Sequence, residues 1–181
     1  NLLPLSDLDR VAIQYNPERA IQLPIHLTNW YLDNHPFCVL NHETRGHMES
    51  DLLRYGYSAA YTALNNGITP KAKDFPVDLA PNHDNWTSGS HADRFRTQSA
   101  TKCSTTVTSH ISKDGHYFIH YDPQQCRSLT VREAARLQTF PDNYLFEGNR
   151  TQQYVQVGNA VPPFLAQQIG HVVMDLLSQN E

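Results

Sequence analysis

The side chains able to do covalent or metal chemistry here are three cysteines and ten histidines. Cys38, Cys103 and Cys126 are an odd set with no Cys-x-x-Cys spacing, which points away from a disulfide framework and toward a reducing cytoplasm. None of the histidines stands at zinc-finger spacing from a cysteine pair, so they are expected to be exposed or hydrogen-bonded, and no metal is expected. The third chemistry is electrostatic. The formal net charge is -4, yet His91 to Arg132 holds six bases (Arg94, Arg96, Lys102, Lys113, Arg127 and Arg132) against three acids. The rest of the chain has eight bases and fifteen acids. A basic strip on an acidic body can meet phosphate, because the field at the contact decides.

A second stretch with the right residue types is "SLTVREAARLQTFPDNY", Ser128 to Tyr144. Glu133 could pass for a general base, but Thr130 three residues earlier is a good N-cap, and the pair forms the pattern of a capping box. Glu133 is therefore assigned to capping. Leu129 and Ala134 suit a weak hydrophobic staple, and Phe140-Pro141-Asp142 ends the helix.

The elements that position these groups follow from periodicity. Residues 1–47 are proline-punctuated, with "VAIQY" and "FCVLNH" as short strand-like runs. From Met48, the residues Leu52, Leu53, Ala59, Ala60, Ala63 and Leu64 recur at helical intervals, and Asn65 to Gly67 followed by Pro70 stops that helix. Residues 68–90 have several breakers and no sustained period, so a loop is expected. "STTVTSHIS", the turn "KDG" and the alternating "HYFIHY" together predict a β-hairpin with Gly115 at positive φ. In that second strand Tyr117, Ile119 and Tyr121 would share one face. Pro162 and Pro163 open a terminal helix whose apolar stripe is Leu165, Ile169, Val172 and Leu176. The class expected is α+β. Mean hydropathy is -0.55, and no apolar run approaches the roughly eighteen residues of a membrane span, so no membrane role is expected.

Two of these stretches carry a resemblance. "RSLTVREAARLQTFPDNY" (Arg127 to Tyr144) followed by "QQYVQVGNAVPPFLAQQI" (Gln152 to Ile169) resembles the last two conserved motifs of DNA cytosine-5 methyltransferases, in order and at matching spacing. "STTVTSHISKDGHYFIH" looks like the end of that family's target recognition region. The resemblance covers roughly Arg94 to Leu177. It implies the small target recognition domain of such an enzyme, with a C-terminal helix packing on a catalytic domain. Residues 1–90 would be an irregular and helical part of the recognition region, 91–150 its hairpin and capped helix, and 151–181 the motif and helix that return to the catalytic domain.

The same resemblance distributes roles. Double-stranded DNA is the implied partner, with Arg94, Arg96, Lys102 and Lys113 as phosphate contacts and Thr106, Thr108, Ser109 and His110 in the recognition loop. Asn159, Ala160 and Val161 match positions lining the S-adenosylmethionine pocket. Thr130, Arg132, Glu133, Arg136, Pro141, Asp142, Gln152, Gln156 and Gly158 are motif positions with a structural role. No catalytic residue is expected: the family's thiolate sits in a Pro-Cys dipeptide, and none of the three cysteines here follows proline. The eight glycines lie at least ten residues apart, so no Gly-x-Gly turn can hold the cofactor, and no Glu-Asn-Val is present. The chain is thus expected to be the C-terminal segment of a cytosine-5 methyltransferase, inactive alone. It would be completed by a catalytic half in the same polypeptide or in a separate subunit. A non-catalytic DNA-binding protein derived from such an enzyme is the third alternative, and a prokaryotic, DNA-associated setting suits all three.

Overall fold

The computed structural model describes residues 12–14, 23–32, 38–80 and 93–179. The chain divides into two compact units, one made of Thr44–Thr130 and the other of the segments before and after it.

In the flanking unit, β1 (Ala12–Gln14) pairs antiparallel with β2 (Cys38–Leu40), Ala12 opposite Leu40. These are the two runs expected to be strands. Immediately after β2 the chain turns through Asn41 at φ 55°, a left-handed conformation that asparagine adopts more readily than most residues. Its side-chain amide donates to the Phe146 carbonyl and accepts from the Phe146 amide, both at 3.0 Å. Helix α1 (Ile25–Leu32) follows Pro24 and is tied down by Trp30, whose indole N–H donates to the Thr139 carbonyl at 2.8 Å.

The motif helix, α3, spans Val131–Leu137 and buries Val131, Arg132, Ala134 and Ala135. Arg132 is the largest fully buried side chain of the described residues, 1% exposed. Its guanidinium donates to the carbonyls of Leu40 (2.9 Å), Pro141 (3.1 Å) and Tyr144. Burial pulls its pKa down to about 10, still far above neutrality, so the group stays charged. Arg136 makes a two-pronged pair with Asp142, Nε to Oδ1 at 2.8 Å and Nη2 to Oδ2 at 2.5 Å. Helix α4 (Arg150–Asn159) is capped by Asn149: its Oδ1 accepts from the Gln152 amide at 3.0 Å, and Gln152 Oε1 accepts from the Asn149 amide at 2.9 Å. Gln156 donates to the Glu147 carbonyl at 3.0 Å, and Gly158 lies in the last turn of α4. Helix α5 (Pro163–Ser178) begins with proline as its sequence predicts. Phe164 packs on Trp30 with ring centroids 5.0 Å apart, but no later residue of α5 is buried; Ile169 is 52% exposed and Val172 58%.

In the Thr44–Thr130 unit, α2 (Glu49–Leu64) is the helix expected from Met48 onward. It buries Asp51, Tyr55, Ser58, Ala59 and Thr62, one face at helical spacing. The leucines expected to carry that face do not: Leu53 and Leu64 are exposed. The aromatic ring of Tyr55 fills the space instead, with Phe75, Phe95 and Ile119 around it. The loop expected from residue 68 contains two 3₁₀ turns, Ala72–Asp74 and Val77–Leu79; its last part, 81–90, lies outside the described residues.

The expected hairpin is not formed. Ser109–Ser112 is a 3₁₀ turn, and the segment after Gly115 bridges to other partners: Ile119 pairs parallel with Thr97 and antiparallel with Ser128. Flanked on both sides, His116, Phe118, Ile119 and His120 are all buried, so the two-faced alternation is lost. Gly115 does take positive φ, at 80°, and a Cβ there would lie 2.7 Å from the Ser128 side chain. The fold is therefore mainly helical with very little strand.

Replacing Arg132 by methionine keeps most of the volume but removes the donors to three carbonyls, of which that of Pro141 keeps the Tyr144 amide at 3.1 Å. The expected cost is about 3 kcal/mol or more, read as a lower urea midpoint. Arg132→Lys should recover only part, since one ammonium cannot reach three divergent acceptors.

Candidate functional site

The central frame of the Thr44–Thr130 unit is a short backbone ladder. The Arg96 amide donates to the His116 carbonyl (2.8 Å), the Ile119 amide to Arg96 (3.0 Å) and the Gln98 amide to Ile119 (2.9 Å). On the other side the Leu129 amide donates to Phe118 (2.8 Å) and the His120 amide to Arg127 (2.9 Å). The Gln98 side chain pins the next loop, donating to the Tyr117 carbonyl at 2.9 Å and accepting from the Thr105 amide at 3.1 Å.

On this frame lies a cleft of about 610 Å³ lined by Arg96, Thr106, Thr108, His110, Tyr117 and their neighbours. Four of the eight residues expected at a DNA contact thus share one concavity. Ser109 starts the 3₁₀ turn beside them. His110 meets Tyr117 edge-on at 5.5 Å, and the Arg96 guanidinium sits over the same Tyr117 ring at 5.8 Å. Arg96 is ion-paired with Asp93, and Arg94 with Asp114 at 3.2 Å. Their charges are therefore largely compensated, which weakens them as phosphate contacts. Lys102 and Lys113 are exposed. The Lys102 stem crosses the α2 exit, where a Cβ on Gly67 would lie 3.2 Å from its Cε. A second cavity of about 450 Å³ there is lined by Asn66, Gly67, Ser99, Thr101 and Lys102, among others.

Sequence reasoning missed two residues, one that holds the loop and one that holds Ser128 on the frame beside it. Arg45 donates to the carbonyls of Ile111 (2.7 Å) and Lys113 (3.1 Å), clamping the 3₁₀ turn. His47 Nε2 accepts from the Ser128 amide at 3.3 Å and lies 3.2 Å from the Ser128 hydroxyl. No periodicity marks "NHETRGH", and the partners lie more than sixty positions downstream, so nothing local signalled either residue. Nearby, the Tyr55 hydroxyl meets His116 Nδ1 at 2.7 Å, and the Asp114 carboxylate accepts from the His116 amide at 3.1 Å.

The electrostatics agree with this wiring. Burial, reinforced by the Arg45 charge, pushes His47 down to about 4. A ring nitrogen accepting from an amide must be unprotonated, so geometry gives the same neutral form. Burial also lowers His116 against the opposing pull of Asp114, and raises the Tyr55 hydroxyl. Burial would raise Asp114, but the His116 amide and the positive charges of His116 and Arg94 win and hold it low.

The expected cofactor residues are in the other unit. Asn159 ends α4, Ala160 follows half-buried with its carbonyl accepting from Gln138 at 3.4 Å, and Val161 is 63% exposed. They make a short open turn, fit to be one wall of a ligand site and too few to enclose it. Among the described residues no cluster of three metal-ligating side chains occurs, and no helix is long and apolar enough to cross a membrane.

The family pattern described as C-5 cytosine-specific DNA methylase matches residues 28–175. The chain belongs to that family. Enzymes of that family take their methyl group from S-adenosylmethionine. Type II methyltransferase M.Bpa9945I of Bacillus paralicheniformis is 60% identical over 86 residues, 48% of this chain and 19% of that protein. Type II methyltransferase M1.HphI of Haemophilus parahaemolyticus is 38% identical over 138 residues, 76% of this chain and 32% of that protein. DNA (cytosine-5)-methyltransferase 2 of Arabidopsis thaliana is 37% identical over 115 residues, 63% of this chain but 7% of the plant protein. The chain therefore spans a third or less of each of these relatives.

The pH dependence of stability follows from His47. Its folded pKa lies below its unfolded one, near 6.5, so its contribution is full above that value and is lost as pH falls toward about 4. Urea midpoints are expected to drop through this window. His47→Gln, which keeps an acceptor for the Ser128 amide, should make the drop shallower.

Proposed function

We propose that this chain is the C-terminal, target-recognition segment of a DNA cytosine-5 methyltransferase, supplying duplex binding and one wall of the cofactor pocket. The observation that carries this reading is the cleft itself: Arg96, Thr106, Thr108 and His110, singled out by type and by resemblance, line one concavity on a hydrogen-bonded frame. Exposed hydroxyls and an imidazole can reach either base edges or phosphate oxygens. Lys102 and Lys113, which are exposed and have no acidic partner among the described residues, supply the attraction to the backbone.

Asn159, Ala160 and Val161 would touch S-adenosylmethionine, and that cofactor supplies the methyl group. The chain's own part there is to present a turn fixed by Gln138, whose side-chain amide also donates to the Val157 carbonyl at 3.1 Å. The thiolate that would attack the cytosine ring is assigned to a catalytic half, because Cys38, Cys103 and Cys126 all lack the Pro-Cys context. The exposed apolar side of α5 is assigned to packing on that half, since a stripe from Leu165 to Val172 at 48–58% exposure is costly to leave in water.

The purified chain is expected to bind duplex DNA weakly, with log K falling against log salt at a slope of about -2 or steeper. Lys102→Ala and Lys113→Ala should each make the slope shallower by about 0.9. Salt-independent binding, or none at low salt, would count against the recognition role. By itself the chain is expected to transfer no methyl group from radiolabelled S-adenosylmethionine to DNA. Turnover without a catalytic half would refute the assignment of the nucleophile.

A further inference from the structure

We propose that Arg96 is a base-reading residue that selects a guanine, not a phosphate contact; this rests on the recognition role proposed above. A reading arginine must be held still, must face a space a base edge can enter, and must not simply be a free positive charge. Arg96 meets all three conditions. Its backbone is fixed on both sides, amide to His116 and carbonyl to Ile119. Its guanidinium is fixed at a third point by the Asp93 carboxylate and at a fourth by the Tyr117 ring, 5.8 Å away. Its side chain lines the 610 Å³ cleft.

Charge decides between phosphate and base. Asp93 beside the guanidinium cancels most of the attraction for a phosphodiester, and would repel its oxygens directly. A neutral base edge suffers no such penalty and needs only directed donors. Among the described residues, Arg96 gives one side-chain hydrogen bond, to Asp93, so its remaining N–H groups can form a fork. Guanine alone presents two adjacent acceptors, O6 and N7, on its major-groove edge. Adenine offers an acceptor beside a donor, and cytosine a donor. An all-donor fork therefore matches one base of the four. Arg94 has the same charge compensation through Asp114 but does not line the cleft, so it is assigned no reading role.

The test is selection of duplexes from a randomised library by the 181-residue chain, followed by binding titrations on the selected sequence. Wild-type protein should fix a guanine at one position. Arg96→Ala and Arg96→Lys should lose discrimination there by about tenfold or more, leaving the other positions and the salt slope unchanged. Replacing that guanine by 7-deazaguanine, which lacks the N7 acceptor, should weaken wild-type binding and leave the Arg96→Ala protein unaffected. If the alanine variant fails to fold, Arg96→Lys, which keeps the charge and the stem, carries the same comparison against 7-deazaguanine. Unchanged base preference in a folded variant overturns the proposal. So does a salt slope shallower by about one, which would mark Arg96 as a phosphate contact. A wild-type chain that binds duplex with no base preference also overturns it, whereas a chain that binds no DNA at low salt removes the recognition role itself.

Discussion

Ile119 is the point on which the Thr44–Thr130 unit depends. Its amide and carbonyl both bond to the strip carrying Arg96 and Gln98, while the residues on either side of it bond to the strip carrying Arg127 and Leu129. Its side chain is fully buried against Tyr55, Phe75 and Phe95. Three stretches far apart in sequence are thus joined by five backbone bonds around one isoleucine. None of the three is long enough to be a strand on its own, so each is held extended by the other two. The cleft exists because this crossing fixes the floor while the Thr105–Lys113 loop is suspended beside it.

The suspension is polar rather than apolar. Gln98 holds one end of the loop, Arg45 holds the carbonyls at the other, and Gly115 makes the turn that lets the chain pass against Ser128. Backbone groups in such a loop would otherwise need water, and burying them unpaired would cost about 1–3 kcal/mol each. Arg132 solves the same problem in the other unit, where one guanidinium serves the carbonyls of Leu40, Pro141 and Tyr144. A chain with so little strand is organised by arginine and amide side chains acting as backbone surrogates.

This explains which parts were legible. Local rules worked where the partner is local: the strand runs at 12–14 and 38–40, the stop at Asn65 to Gly67, positive φ at Gly115, and proline at the start of α5. Helix α2 was legible as a helix but not in its buried face, because Tyr55, Ser58 and Thr62 are chosen by aromatic and hydroxyl partners that periodicity ignores. The hairpin failed because alternation in "HYFIHY" says how residues are spaced, not who sits beside them. At the site, the motif matched by resemblance pointed to Thr106, Thr108 and His110, while Arg45 and His47 were invisible. Their function is to bond carbonyls and an amide more than sixty positions away.

That distance has a consequence for modularity. The Thr105–Lys113 loop looks like an interchangeable cassette, since one short segment carries most of the cleft's polar side chains. Its fastening, however, is written at Arg45, its hinge at Gly115, and the surface the hinge rests on at Ser128. Grafting the loop alone into a relative would move the side chains and leave their scaffolding behind. A working transplant has to carry these separated positions as one inherited unit.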